Sequence, residues 1–484
     1  MLSMVSSLPW PVGASNDDAT TFDVPSTIDP NGERDVTTEL MTFITSVPDG
    51  STIAFPAGAR YRIDTSLVIE GRNDLTFEGN GAEFFATTDA DRNRRHWWIR
   101  NSKGITVRDV AVRGANPNAG TSEAAYRSDR EAQHGFDFAG VENVLLERVN
   151  VTDVYGDFVY IGLGKRGWSK NVTVRDSRFE RNGRQGISIT AGQDILIERN
   201  VIRDVRRSTF DLEPNGTNWG ARRVMITDND IGPGRLNFIA GHGYAAPFDD
   251  IKVIGNRLKG KTMNVSLKAP DPSRRSNFSL IGNVSDASYG SPAPPIVITG
   301  FDGVTIRDNV MRLDAGRKMT AVGLTLTCDA VVAGNQFTNA AMDVKTDGYV
   351  CAKAAVPAPT TTTPASIAPG SSLAAPTTTR RAGAAAAPGP AQTDGVGDDV
   401  DEQSTEPESA ARSDADAIAE HEDEVAEALT DRNERLVDPP ASGDDAGYDK
   451  AIWALVIGAV ISAAVLVPLS RSSRRSRSGR QAGR

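Results

Sequence analysis

A six-residue template recurs along the middle of this chain and leaves few folds open to it. The template reads apolar, any, apolar, any, any, Asn. It occurs as LTFEGN (75–80), ILIERN (195–200), VMITDN (224–229), IKVIGN (251–256), FSLIGN (278–283), VTIRDN (304–309) and AVVAGN (330–335). VTVRDS (172–177) ends in Ser, while ITVRDV (105–110) and VLLERV (144–149) keep only the apolar part. From Val172 onward the template starts at 172, 195, 224, 251, 278, 304 and 330, in steps of 23, 29, 27, 27, 26 and 26. The apolar period within each copy is two, the period of a strand. Strands repeating at this spacing without helical segments between them predict a stacked solenoid, not a sheet crossed over by helices. One turn cannot bury its apolar face alone, so turns stack with like positions about 4.8 Å apart.

Asn200, Asn229, Asn256, Asn283, Asn309 and Asn335 hold one place in six consecutive turns. Stacked amides can hydrogen-bond up such a column, and Asn tolerates the left-handed backbone of a sharp turn. A structural column is therefore expected. The NVT and NVS triplets at Asn150, Asn171, Asn264 and Asn283 follow from the same repeat and need no glycosylation to explain them.

Residues 29–85 make the reading specific. They contain DVTTELMTFITSV, DGSTIAFPAGARYRI and FEGNGAEF. This stretch resembles the opening of the right-handed parallel β-helix superfamily of pectate lyases and polygalacturonases. The resemblance, over about residues 25–345, implies an all-β right-handed parallel β-helix with a short N-terminal helix capping the coil. It does not imply one reaction, because the superfamily holds lyases, hydrolases, epimerases and non-catalytic adhesins.

The ends suggest a location. Residues 451–469, AIWALVIGAVISAAVLVPL, form a 19-residue uncharged run. That length fits one membrane-spanning helix. The tail at 470–484 carries six arginines, which would stay cytoplasmic and leave the large domain outside. Residues 354–448 are rich in Pro, Thr and Ala, then acidic, and are expected to form a disordered stalk. Residues 1–14 read as the end of a truncated signal peptide, with Val12-Gly13-Ala14 as the cleavage site. The folded domain is then 20–353. Its two cysteines, Cys328 and Cys351, suggest one disulfide in an exported protein. A net charge of −10 offers no footprint for nucleic acid.

Between template strands lies a second strand, clearest as GFDF (135–138), GISIT (186–190), FDLEP (210–214) and MNVSLK (263–268). Alternation turns their apolar residues inward. It turns Asp137, Ser188, Thr190, Asp211, Glu213, Asn264, Ser266 and Lys268 outward, with Asn237 from LNFIA expected to join them. In the resembled superfamily the sugar cleft runs along such a face. The step from Ile105 to Val144 is 39 residues, and its surplus, loop 114–133, delivers His134 and Asp137 onto this face. Asp157 and Tyr160 come from the next turn and Arg181 and Arg184 from the one after. Arg206 and Arg207 precede FDLEP, and His242 follows in GHG (241–243).

Asp211, Glu213, Asp157 and His134 are the candidate catalytic residues. Asp137, Arg184, Arg181, Asn237, His242, Asn264, Lys268 and Tyr160 are the candidate substrate contacts. Glycoside hydrolysis needs two carboxylates, about 5 Å apart for retention or about 6.5–9.5 Å for inversion. Asp211 and Glu213 have Cα atoms roughly 6.6 Å apart on one strand, and Asp157, two turns below, would lie roughly 9.6 Å from Asp211. Lyase or epimerase chemistry would instead need a base beside the sugar C5. An Arg, a Lys or a Ca²⁺ held by these acids would then neutralise a uronate. Polygalacturonases carry Asn-Thr-Asp, Asp-Asp, Gly-His-Gly and Arg-Ile-Lys stretches. Here GHG stands without its companions, so their mechanism is not carried over. The reading is a polysaccharide-processing enzyme, hydrolase before lyase or epimerase. Its rivals are a carbohydrate-binding or adhesion module and a structural envelope protein. GLGKRG (162–167) matches a dinucleotide fingerprint, but a strand and no helix follows it. HWWIRN (96–101) is read as a packed edge in preference to a sugar platform.

Overall fold

A computed structural model describes residues 19–270, 274–316, 318–348 and 351. The signal-peptide, stalk, membrane-helix and tail segments lie outside the described residues. Among those described, no helix is long and apolar enough to cross a membrane.

The chain winds as a β-solenoid of about 12 turns, each stacked in parallel on the next. A turn contains three strands where two were expected. The front strands include Trp97–Arg100, Phe136–Ala139, Val159–Gly164, Ile187–Ile189, Phe210–Asp211, Ile239–Gly241 and Val265–Lys268. The template strands follow, as in Glu142–Glu147, Gly167–Arg175, Ala191–Glu198, Gly220–Thr227 and Phe248–Ile254. The third set includes Asn150–Val154, Arg178–Asn182, Val201–Arg203, Asp230–Ile231 and Arg257–Leu258. These third strands run two to five residues, too short for a period of two to register.

Register follows the template. Val172 pairs with Ile195, Ile195 with Val224, Val224 with Ile251 and Ile251 with Phe278. These side chains are buried in one continuous core. Its N-terminal end is aromatic: Phe55, Phe77 and Phe84 meet Trp97 edge-on at centroid distances of 6.4, 5.3 and 4.9 Å. The helix Thr37–Ser46 brings Leu40 and Ile44 into this core. Asp35 sets its start, accepting hydrogen bonds from Thr37 N (3.0 Å) and Thr37 Oγ1 (2.6 Å).

The asparagine column is hydrogen-bonded throughout. Asn200, Asn229, Asn256, Asn283 and Asn309 each donate Nδ2 to the next Oδ1, at 2.9–3.1 Å, ending on Asn335. The left-handed residue, however, is the one before each Asn. Arg199 (φ 53°), Asp228 (55°) and Asp308 (58°) take that place, with glycines at 255, 282 and 334. A left-handed L-residue costs about 1–2 kcal/mol. Forked ion pairs between stacked turn residues offset part of that cost. Arg148 grips Asp109 at 2.9 and 2.8 Å, and Arg199 grips Asp176 at 2.8 and 2.9 Å. The six template asparagines are free to bond because a neighbour takes the turn.

Cys328 and Cys351 form a disulfide, with Cα atoms 5.8 Å apart.

Candidate functional site

The front face is built by register. From one turn to the next its outward residues are Trp98, Asp137, Tyr160, Ser188, Asp211, Ala240 and Ser266. Their inward neighbours, Phe136, Phe138, Val159, Ile161, Ile187, Ile189, Phe210 and Leu212, are all buried. The expected alternation therefore holds in FDLEP. Asp211 lies on the floor of the face at 3% exposure, and Glu213 is half-buried at its edge.

Two expected neighbours of Asp211 are elsewhere. Two turns below it stands Tyr160 and not Asp157; directly above stands Ala240 and not Asn237. Asp157 sits at the corner before its strand and is fully buried. Its carboxylate accepts two hydrogen bonds from Arg184 (3.1 and 3.0 Å), one from Gln185 N (3.0 Å) and one from Ser188 Oγ (2.6 Å). Burial pushes the Asp157 carboxyl up, while Arg184 and Ser188 pull against that. Arg184 itself is held well above the ordinary guanidinium range: burial opposes this, but Asp157, Glu131 and Asp211 outweigh it. A carboxylate so enclosed cannot project to a substrate. Asp157 instead fixes Arg184, whose charge is felt by Asp211.

His134 is also a corner residue, at 5% exposure. Its Nδ1 accepts the Asp157 backbone N–H at 3.0 Å, so the proton of the neutral ring is on Nε2. Its ring stacks on Tyr160, 4.9 Å between centroids. Burial holds its pKa well below the ordinary value, with Arg95 and Arg184 adding to the effect. The ring stands as a neutral support under Tyr160, at the corner and not on the open face where a candidate catalytic residue was expected.

Of the expected substrate contacts, Tyr160 is on the floor, and its hydroxyl accepts from Thr190 Oγ1 (3.0 Å) and Asn215 Nδ2 (3.1 Å). Asp137 is on the floor three turns below Asp211, paired with Arg95 at 3.1 Å. His242 Nε2 meets Ser266 Oγ at 3.1 Å, and Lys268 is exposed at the upper end. Asn237 and Asn264 are corner residues joined at 3.2 Å, and Asn264 also accepts the Phe238 N–H. Arg181 is off the face. It forks onto Asp153 at 2.8 and 3.0 Å and lines a separate groove of about 580 Å³ with Phe85, Arg113 and Asn116.

Two walls flank the floor. Loop 114–133 forms one. Its Glu131 lies 3.4 Å from Arg184 and 3.9 Å from Arg207, and its Tyr126 ring lies 4.8 Å from the Arg207 guanidinium. Glu123 pairs with Arg206 at 2.5 Å and with Arg235. The other wall is made by the corners at 162–168 and 212–219. There GLGKRG is the tip of an antiparallel hairpin (Leu163↔Trp168, Gly164↔Gly167). Arg95, Glu131, Trp168 and Trp219 were not singled out from sequence. The 39-residue step was the one signal that pointed toward Glu131. HWWIRN divides: Trp97 is core, while Trp98 is on the floor with guanidinium carbons of Arg95 and Arg100 at 4.6 and 4.2 Å. Among the described residues no group of three or more His, Cys, Asp or Glu side chains could hold a metal ion. The donor set for Ca²⁺ is thus not assembled there, and the Asp157 oxygens are already engaged.

The family comparison agrees with this geometry. Residues 64–257 match the family model described as "Right handed beta helix region". They form a right-handed β-helix. No curated protein matches the chain. Among solved structures, the β-helix is similar to the surface adhesin PfbA of Streptococcus pneumoniae. Identity is 12% over 67% of this chain and 91% of that one, with a TM-score of 0.49. It is similar to the family 28 exopolygalacturonase of Yersinia enterocolitica: 14% identity, 69% and 76% coverage, TM-score 0.49. It is also similar to the GH87 α-1,3-glucanase of Streptomyces thermodiastaticus: 16% identity, 70% and 70% coverage, TM-score 0.42.

Proposed function

We propose that the front groove of the β-helix binds a polysaccharide and cleaves it, with Asp211 and Glu213 as the working carboxylates. One observation carries the reading. The two turns on either side of Asp211 present Tyr160, Ser188, Ala240 and Ser266 at its position, and the other acid in that column, Asp137, is paired with Arg95, so the repeat does not call for an acid at Asp211. The acid stands between two walls, with Arg184 held beside it by Asp157. Glu213, two residues on where the strand gives way to the corner, supplies the second carboxyl. With Asp157 enclosed, hydrolysis on this face falls to that pair: one protonates the leaving oxygen while the other activates water or attacks. Lyase or epimerase action would use the same groove, with Arg184 or Arg207 facing a uronate carboxylate. The adhesin alternative is favoured by a specific feature, the 3% exposure of Asp211, which leaves little of that carboxylate open to a substrate.

The test is release of reducing ends, or of unsaturated uronates absorbing in the ultraviolet, from plant, algal and bacterial-wall polysaccharides. Product formation that is lost in Asp211→Asn supports the enzyme. Binding without product supports the adhesin. We also propose that the helix Thr37–Ser46 plugs the first turn, and that the domain is displayed outside the cell on a stalk ending in the 451–469 span. Protease shaving of intact cells would release the domain if that display is right and leave it intact if not.

A further inference from the structure

Three aromatic side chains stand along one wall of the groove, where winding the solenoid does not require them. The corner from front strand to template strand can be very tight. Thr190 alone separates Ile187–Ile189 from Ala191–Glu198. The corner is enlarged at 162–168, 212–219 and 242–247, and each enlargement carries one aromatic: Trp168, Trp219 and Tyr244.

The Trp168 ring is fixed in place, and the backbone at Trp219 and Tyr244 is tied to the same corner. Trp168 closes the hairpin opposite Leu163 and donates Nε1–H to Asn218 O at 2.7 Å. Its ring lies against the backbone of Gly220, where a Cβ would come within 2.7 Å of it. Gly220 is left-handed (φ 150°), so glycine serves both the turn and the close approach. Trp219 donates its amide to Gly216 O at 3.1 Å. Tyr244 donates its amide to Pro214 O at 3.3 Å, which ties the third corner to the second. Yet none of the three is buried: both tryptophans are half-exposed and Tyr244 is 41% exposed. Aromatic rings left partly open beside a polar floor are the kind of side chain that lines ligand sites.

We propose that Trp168, Trp219 and Tyr244 form a stacking strip for the pyranose rings of a glycan lying along the groove. The inference rests on the glycan-binding part of the proposed function and adds a binding subsite to it. The Trp168 ring reaches up to Asn218 and Gly220, at the corner of Trp219, and Tyr244 stands one turn above that, about 4.8 Å on. A cluster across two adjacent turns holds one or two neighbouring sugar units of a chain lying along the groove. The apolar ring faces would pack on the strip while the hydroxyls meet the Tyr160–Ser188–Asp211 floor.

The test uses the full chain carrying Asp211→Asn, run through gels containing polygalacturonate, alginate, xylan or α-1,3-glucan. At least one polysaccharide should retard it. Trp219→Ala and Tyr244→Ala should each weaken that retardation by about fivefold to tenfold, and Trp219→Tyr should restore most of it. Retardation unchanged in both alanine variants would overturn the strip, as would no retardation by any of the four polysaccharides. If Trp219→Ala unfolds, exposed Tyr244 and the tyrosine variant carry the test. The two proposals fail separately. Retention without product from the wild type sinks the chemistry alone, and product with unchanged retention in the aromatic variants sinks the strip alone.

Discussion

Replacing His96 with Asn should flatten the acid side of the stability curve. His96 is fully buried, and its Nδ1 donates to the His134 carbonyl at 3.0 Å. Burial, helped by Arg94, lowers its pKa to about 3. A free histidine titrates near 6.5. The folded pKa is thus depressed, and as pH falls through about 6.5 the unfolded chain takes up the proton first. Stability from this group is fully present above that pH and declines as pH falls toward 3. At pH 5 the interval is about 1.5 units, which at 1.36 kcal/mol per unit is about 2 kcal/mol. For a domain of roughly 330 residues the melting temperature would drop by about 3 °C. His134, lowered for the same reason, adds in the same direction. Asp157, pushed up by burial, acts in the opposite sense, so the comparison has to be with a variant and not with the bare slope. In His96→Asn the amide can replace the Nδ1 donor but cannot titrate. Its melting temperature at pH 7 should be somewhat lower than wild type, and its loss between pH 7 and pH 5 smaller by about 3 °C. Calorimetry on both proteins reads this directly. Equal losses would refute the placement of a neutral histidine in the core.

Other consequences can be checked in parallel. Asn256→Ala strips partners from Asn229, from Asn283 and from the Ile226 carbonyl. At about 1–3 kcal/mol per orphaned buried group it should cost several kcal/mol in urea titrations, while Asn335→Ala at the end of the column costs far less. Asp157→Asn leaves Arg184 without its fully buried counter-charge and should destabilise by about 3–5 kcal/mol; a neutral effect would return Asp157 to the list of free carboxylates. Leu40→Ala should cost about 2–5 kcal/mol if the helix Thr37–Ser46 is integral to the first turn, and almost nothing if it is an ornament.

The coil was legible because stacking forces like residues into like places. Val172, Ile195, Val224 and Ile251 announce the core by spacing alone, and Phe210 and Leu212 place Asp211 and Glu213 outward by alternation. What was hidden is what the corners do. Asp157 and Asn237 sit where the chain leaves one sheet for another, so counting by twos along a strand cannot say which way they point. Asp157 fell inward to Arg184, and Tyr160 took the place on the floor. The third strands were missed because two to five residues carry no period. The αL role passed from the asparagines to the residue before each, and at Arg199 the pairing with Asp176 that supports it is a contact in space that no hexamer displays. Loop 114–133 was visible as surplus length, but its grip on Arg184 and Arg207 through Glu131 depends on where it lands.

The most direct test of the central proposal is product release from the polysaccharide panel by wild type, Asp211→Asn and Glu213→Gln, with binding followed on the same samples. The account predicts that wild type yields reducing ends or unsaturated uronates from at least one polymer. Each variant should lose at least about a hundredfold in rate, as expected for a group acting in the transition state, while still binding that polymer. No product from any polymer, with binding unaffected by either substitution, would contradict it.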